Sequence, residues 1–199
     1  MPLAVTHVLV PIIFLELIRD NWKACKLMGY KFKASKFFSK KHVFLVGLAG
    51  LSPDIDLMLC RAAEFLGESM PTSDIGHRII FHNIWIPLGF LGFFILFYYF
   101  LPKFWELKKN KAKKLKSFGK IFLVLFIGFS IHLMLDAVLT GHVMPFYPLD
   151  DYLVNWDLVG QTACVTGIPG LTILVSMDAL LLILWLWHEE MSHRIKDYF

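Results

Sequence analysis

Residues 119–140 read GKIFLVLFIGFSIHLMLDAVLT, and beyond Lys120 the run holds only two ionisable side chains, His132 and Asp136. About 20 apolar residues in a helix cross the hydrocarbon core of a bilayer. Loose backbone N–H and C=O groups find no water there, so such a stretch takes the helical form. The run therefore predicts a membrane span over 119–140. His132 and Asp136 are four residues apart, hence on one helical face. An Asp within a span costs about 2.5–3.5 kcal/mol on insertion scales, so Asp136 needs partners from elsewhere in the chain.

Outward from this helix, four more apolar stretches follow the same reading: 3–18, 43–66, 79–101 and 169–187. Charged residues are 18% of the 199-residue chain, against about 25% in soluble domains. That is too little polar surface to cover the chain in water. The expected fold is all-α: one polytopic integral membrane domain over 1–199, a bundle of about five transmembrane helices. The stretch 3–18 has no basic leader and no small-residue cleavage site, and His7 interrupts it; it reads as a retained span, not a signal peptide. Cys25, Cys60 and Cys164 are scattered without CxxC spacing and predict neither disulfides nor a thiolate zinc site.

Lys and Arg set the orientation. Segments 19–42 and 102–120 hold eight each, and the tail adds Arg194 and Lys196. Segment 67–78 holds only Arg78, and 141–168 holds none. Basic connections alternate with non-basic ones, which predicts a plasma (inner) membrane protein with an external N-terminus and a cytoplasmic C-terminus. The lysines lie where topology places them, so no nucleic-acid partner is expected.

On this map the buried polar residues collect in the outer half of the bundle. His7 lies one turn into the first span and Asp54 and Asp56 halfway along the second. His77 sits just before the third span and His82 one turn inside it. His132 and Asp136 occupy the last turns of the fourth, with His142 just beyond. Two carboxylates two residues apart repel in low dielectric, and a divalent metal is the simplest way to keep both ionised. Imidazole with carboxylate suits zinc, manganese or iron. In GLSPDID (50–56), Ser52 and Pro53 suit a helix start, so the second span is expected to break there and line a polar cavity. Arg78 beside His77 is placed to grip a phosphate.

Together, Thr6-His7, Pro53-Asp54-Ile55-Asp56, His77-Arg78 with His82, and His132-x3-Asp136-x4-Gly141 followed by a Pro resemble the YdjM-like family of membrane-bound metal-dependent hydrolases. These motifs span about 70% of the chain, positions 6 to 145. The resemblance implies an active centre of His7, Asp54, Asp56, His77, His82, His132 and Asp136. More distantly the pattern is similar to the zinc-dependent phospholipase C and nuclease superfamily, whose spacing brings in His142. The later HxxxE of the phospholipases is absent, which implies two divalent ions, zinc first and manganese or iron as alternatives. Asp54, Asp56 and Arg78 are the expected catalytic residues: one carboxylate binds metal and the other takes a proton from water, while Arg78 balances charge.

A site at headgroup level points to a phosphoester in a phospholipid or lipid-linked phosphate. A metalloprotease lacks its HExxH. A non-catalytic metal-binding protein, such as an assembly or stress factor, stays open as the alternative, and so does a metal transporter. A transporter needs ligands in the inner halves of the spans, where almost none are expected. Asp178 reads as a helix-to-helix hydrogen bond, and Glu16 as a side chain reaching the headgroups. His42, His188 and His193 fall on the wrong side for the site. FFILFYYF (93–100) reads as lipid-facing packing and not a cofactor box, and Trp85, Tyr152 and Trp156 as an interfacial belt. The loop 141–168 is a lid or a surface layer.

Overall fold

A computed structural model describes residues 4–27, 37–55, 65, 81–104, 109–141, 143–150 and 152–192. The expected site residues Asp56, His77, Arg78 and His142 lie outside the described residues.

Six helices carry the fold: α1 (Ala4–Leu27), α2 (Lys40–Leu51), α3 (Trp85–Phe104), α4 (Lys109–Leu139), α5 (Leu158–Thr166) and α6 (Gly170–Ser192). No strand forms among the described residues; Val143 and Val154 make an isolated antiparallel bridge. Among the described residues, three helices are long and apolar enough to cross a membrane: Trp85–Phe104, Lys109–Leu139 and Gly170–Glu190. The 24-residue α1 is interrupted by Glu16, Arg19 and Asp20. The 12-residue α2 ends in a 3-10 turn, Ser52–Asp54, close to where the described chain stops.

α4 is the central element, packed against α2, α3 and α1, while α2 lies between α1 and α4. Lipid tails are as apolar as leucine, so helices in a membrane associate by close packing of small residues. The sequence GLAG at 47–50 supplies them. A Cβ on Gly47 would sit 2.7 Å from Ile12 Cδ1, and one on Gly128 of α4 would sit 2.5 Å from Ala49 Cβ. Ile12, Leu15, Val43, Val46 and Val124 fill the core between the three helices.

The described boundaries correct several expectations. α1 and α4 run further into the basic connections than 3–18 and 119–140, because Lys and Arg are good helix formers that need no apolar face there. α3 starts at Trp85, not 79, so His82 sits in a bend before the helix and not one turn inside it. Asn83 accepts a hydrogen bond from the Trp85 N–H at 3.1 Å, and Pro87 occupies the first turn, where a missing N–H costs nothing. Further along, Leu96–Phe100 is a π-helical segment. Pro102 just beyond it has no N–H to close the preceding turn. Phe93 and Phe97 pack on α4, Phe97 stacking on Phe122 at 5.6 Å, while Tyr99 and Phe100 are exposed.

The loop 141–168 is largely folded. The Val143–Val154 bridge closes it, α5 fills its second half, and Val159 packs with Leu139 and Leu174. Trp85, Tyr152 and Trp156 are all exposed, as an interfacial belt requires.

Candidate metal centre

Four elements deliver the site. α2 ends at Leu51 because the chain tightens into the Ser52–Asp54 turn. The Ser52 hydroxyl turns back and donates to the Ala49 carbonyl at 2.8 Å instead of capping the turn that follows. Pro53 is buried at the start of the tight turn, and Asp54 follows it, 20% exposed. The α-helix gives way here to the 3-10 turn, and one carbonyl near its end serves a side chain. Gly50 C=O accepts a hydrogen bond from His132 Nδ1 at 2.6 Å.

A carbonyl can only accept, so His132 carries its proton on Nδ1 and presents a bare Nε2. That nitrogen points at His82 Nε2 (3.1 Å), Asp136 Oδ2 (3.6 Å) and Asp54 Oδ1 (3.7 Å). His82 Nε2 lies 3.2 Å from Asp136 Oδ2 and 3.7 Å from Asp54 Oδ1. His7 approaches the other Asp136 oxygen, Oδ1, at 3.3 Å, and its ring stacks on His132 with centroids 4.0 Å apart. His7, His82, His132 and Asp136 are each no more than 1% exposed.

The ligand atoms of Asp54, His82, His132 and Asp136 all lie within 4.8 Å of one another. A lone pair on His132 Nε2 aimed at two carboxylates is repulsive unless a proton from His82 or a cation sits among them. Neither Asp136 oxygen has a hydrogen-bond partner of ordinary geometry among the described residues, and an unpaired buried carboxylate is costly. The donor set therefore fits a divalent metal. His132 is oriented as metal-binding histidines usually are, its second ring nitrogen held by a backbone carbonyl. Asp136 turns its two oxygens to different imidazoles, as a carboxylate bridging two ions does.

Of the expected ligands, His7, Asp54, His82, His132 and Asp136 converge. Two supporting residues had no assigned role in the sequence. Gly50 gives the carbonyl for His132, and a Cβ there would run into the His7 carbonyl, so only glycine lets α2 approach α1. Thr6 donates its hydroxyl to Asp178 of α6; the expected interhelical bond of Asp178 thus lands beside His7.

Glu16 requires a correction. It is 2% exposed and groups with His188 and Glu189 instead of reaching the headgroups. α1 packs against α6, which brings the three side chains together.

Buried imidazoles and carboxylates on a helical bundle, with apolar helices of spanning length, define a polytopic membrane protein with a candidate metal centre. The family model "YdjM inner membrane protein" matches residues 1–194, and the chain belongs to that family. No curated protein and no solved structure matches the chain.

Proposed function

We propose that the protein is a membrane-embedded metal-dependent hydrolase that cleaves a phosphoester in a phospholipid or lipid-linked phosphate at the outer face of the membrane. The observation that carries this reading is the bare His132 Nε2 facing His82, Asp54 and Asp136.

The reading takes α1, α2 with the residues after it, α3, α4 and α6 as five spans, N-terminus outside and C-terminus in the cytoplasm. Thr6 meets Asp178, and Glu16 meets Glu189. α1 and α6 therefore run parallel, as the first and last of an odd number of spans must.

His7, Asp54, His82, His132 and Asp136 would hold two zinc ions, or manganese or iron in their place, with Asp56, His77 and His142 completing the set. A bound divalent ion acidifies water and clamps phosphoryl oxygens. The chain's residues do the rest. Asp54, the most exposed of the described ligands, has the access needed to take the proton of the attacking water, with Asp56 as its companion carboxylate. Arg78 balances the phosphoryl charge. The water oxygen bonds to phosphorus, the ester P–O bond breaks, and the proton passes to the leaving oxygen.

The test is to incubate metal-loaded protein with a panel of phospholipids and polyprenyl phosphates and to assay released headgroup or phosphate. Chelation should abolish turnover and a divalent ion restore it. Asp56→Asn should abolish it in a folded protein, and Arg78→Ala should mainly weaken anionic substrates. Full metal occupancy without turnover on the panel favours a non-catalytic metal-binding protein. A second reading, metal transport, draws support from the Glu16 group, because it places ligands toward the other end of α1. Metal flux into proteoliposomes that needs both groups would favour it.

A further inference from the structure

A second group of ligand-type side chains lies along the α1–α6 contact, away from the centre above. Glu16 of α1 and His188 and Glu189 of α6 bring ligand atoms within 4.8 Å of one another. Glu16 is 2% exposed and Glu189 1%. Both Glu189 oxygens are buried without a hydrogen-bond partner among the described residues. Two carboxylates this close repel when both are ionised out of water. Buried Arg19 lies one turn along α1 from Glu16, and Lys40 lines the same groove as both glutamates. Neither donates to Glu189. The unpartnered carboxylate is left to a cation, and two carboxylates with one imidazole suit a borderline-hard divalent ion.

The group cannot be an outlying part of the first centre. Glu16 follows His7 by nine residues, which is about 14 Å of helix rise. Asp178 and Glu189 are eleven apart on α6, about 16 Å.

We propose that Glu16, His188 and Glu189 form a separate site for one divalent transition-metal ion, Zn2+ or Mn2+, that clasps α1 to α6. Three protein ligands leave a coordination position free. Beside it runs a groove of about 880 Å³ whose apolar walls include Leu9, Ile12, Phe44, Leu48 and Trp185. The site stands independently of the hydrolase reading, since it uses none of the same side chains.

The test uses full-length protein in detergent, stripped with chelator, loaded with Zn2+ alone, desalted and assayed for zinc per chain. Glu189→Gln and His188→Ala should each lose one equivalent that Asp136→Asn retains. Zn2+ should also raise the melting temperature of Asp136→Asn protein and fail to raise that of the Asp136→Asn/His188→Ala double variant. His188 is only half-buried, so its variant carries the test if Glu189→Gln does not fold. Zinc content unchanged in the folded variants overturns the proposal. So does a Glu189→Gln protein that melts higher than wild type with its zinc intact, which would mean that the two carboxylates share a proton.

Discussion

His132 donates its Nδ1 hydrogen to the Gly50 carbonyl at 2.6 Å, so a residue with no side chain decides which nitrogen of a candidate ligand is bare. Gly50 also lets α2 lie against the His7 carbonyl. In Gly50→Ala the new methyl must push the two helices apart. Overpacking of this kind costs about 1–3 kcal/mol, and disturbing a partner behind a ligand typically costs about 10–100-fold in metal affinity. Chelator competition on the solubilised variant measures the second effect. Wild-type affinity in a folded Gly50→Ala protein would break the link between the carbonyl and the centre.

Thr6 and Asp178 are both buried and bonded to each other across α1 and α6. Interhelical hydrogen bonds in membranes couple by about 0.6 kcal/mol on average and about 1.7 at most. A double-mutant cycle of Thr6→Val and Asp178→Ala should give a coupling in this range by denaturant unfolding in detergent. Strict additivity would mean that α6 does not position the His7 end of α1.

Ser117 lies in the basic N-terminal part of α4, and Asp150 in the loop beyond its C-terminal end. In a background lacking Cys25, Cys60 and Cys164, Ser117→Cys should react with impermeant thiol reagents only from the cytoplasmic side. Asp150→Cys should react only from outside. Labelling of both from one side contradicts the proposed topology.

His42 accepts a hydrogen bond from the Ser39 N–H through Nδ1 at 3.0 Å at the start of α2. Burial, and then Lys120 nearby, hold it below its ordinary value of 6.5. The neutral ring is the one that can accept this bond. Because the folded value is depressed, the unfolded chain takes the proton first as pH falls. The contribution is thus fully present well above pH 6.5 and declines as pH drops through that value toward the folded one. His42→Gln, which cannot titrate, should lose less melting temperature than wild type between about pH 7.5 and 5.5. Equal losses would assign the acid sensitivity to other groups.

The centre was legible where side chains carry it. His132 and Asp136 share a face by spacing alone, and charged or imidazole groups in apolar runs stand out because they are costly there. Gly50 was not legible as a partner, since a backbone carbonyl has no residue signature. His82 was placed a turn too deep because apolarity continues through Ile79, Ile80 and Phe81, while the helix starts only at Trp85. Glu16 was misread for a different reason. A lone carboxylate near the end of an apolar run reads by default as reaching for the headgroups, and its partners His188 and Glu189 lie about 170 residues further along the chain.

That separation also bears on how the protein is made. α1 carries His7, Glu16 and Arg19, polar groups that lipid alone does not satisfy, and Thr6 finds its partner 172 residues downstream. At about 5–20 residues per second of synthesis, roughly 10–35 s pass before Asp178 leaves the ribosome. In the proposed five-span topology, the first helix waits through that interval at the translocon, at the headgroup level or in the keeping of an insertase. A variant that removes the polar groups of α1 should therefore enter the membrane early, and wild-type α1 should become protease-resistant only once α6 has been made.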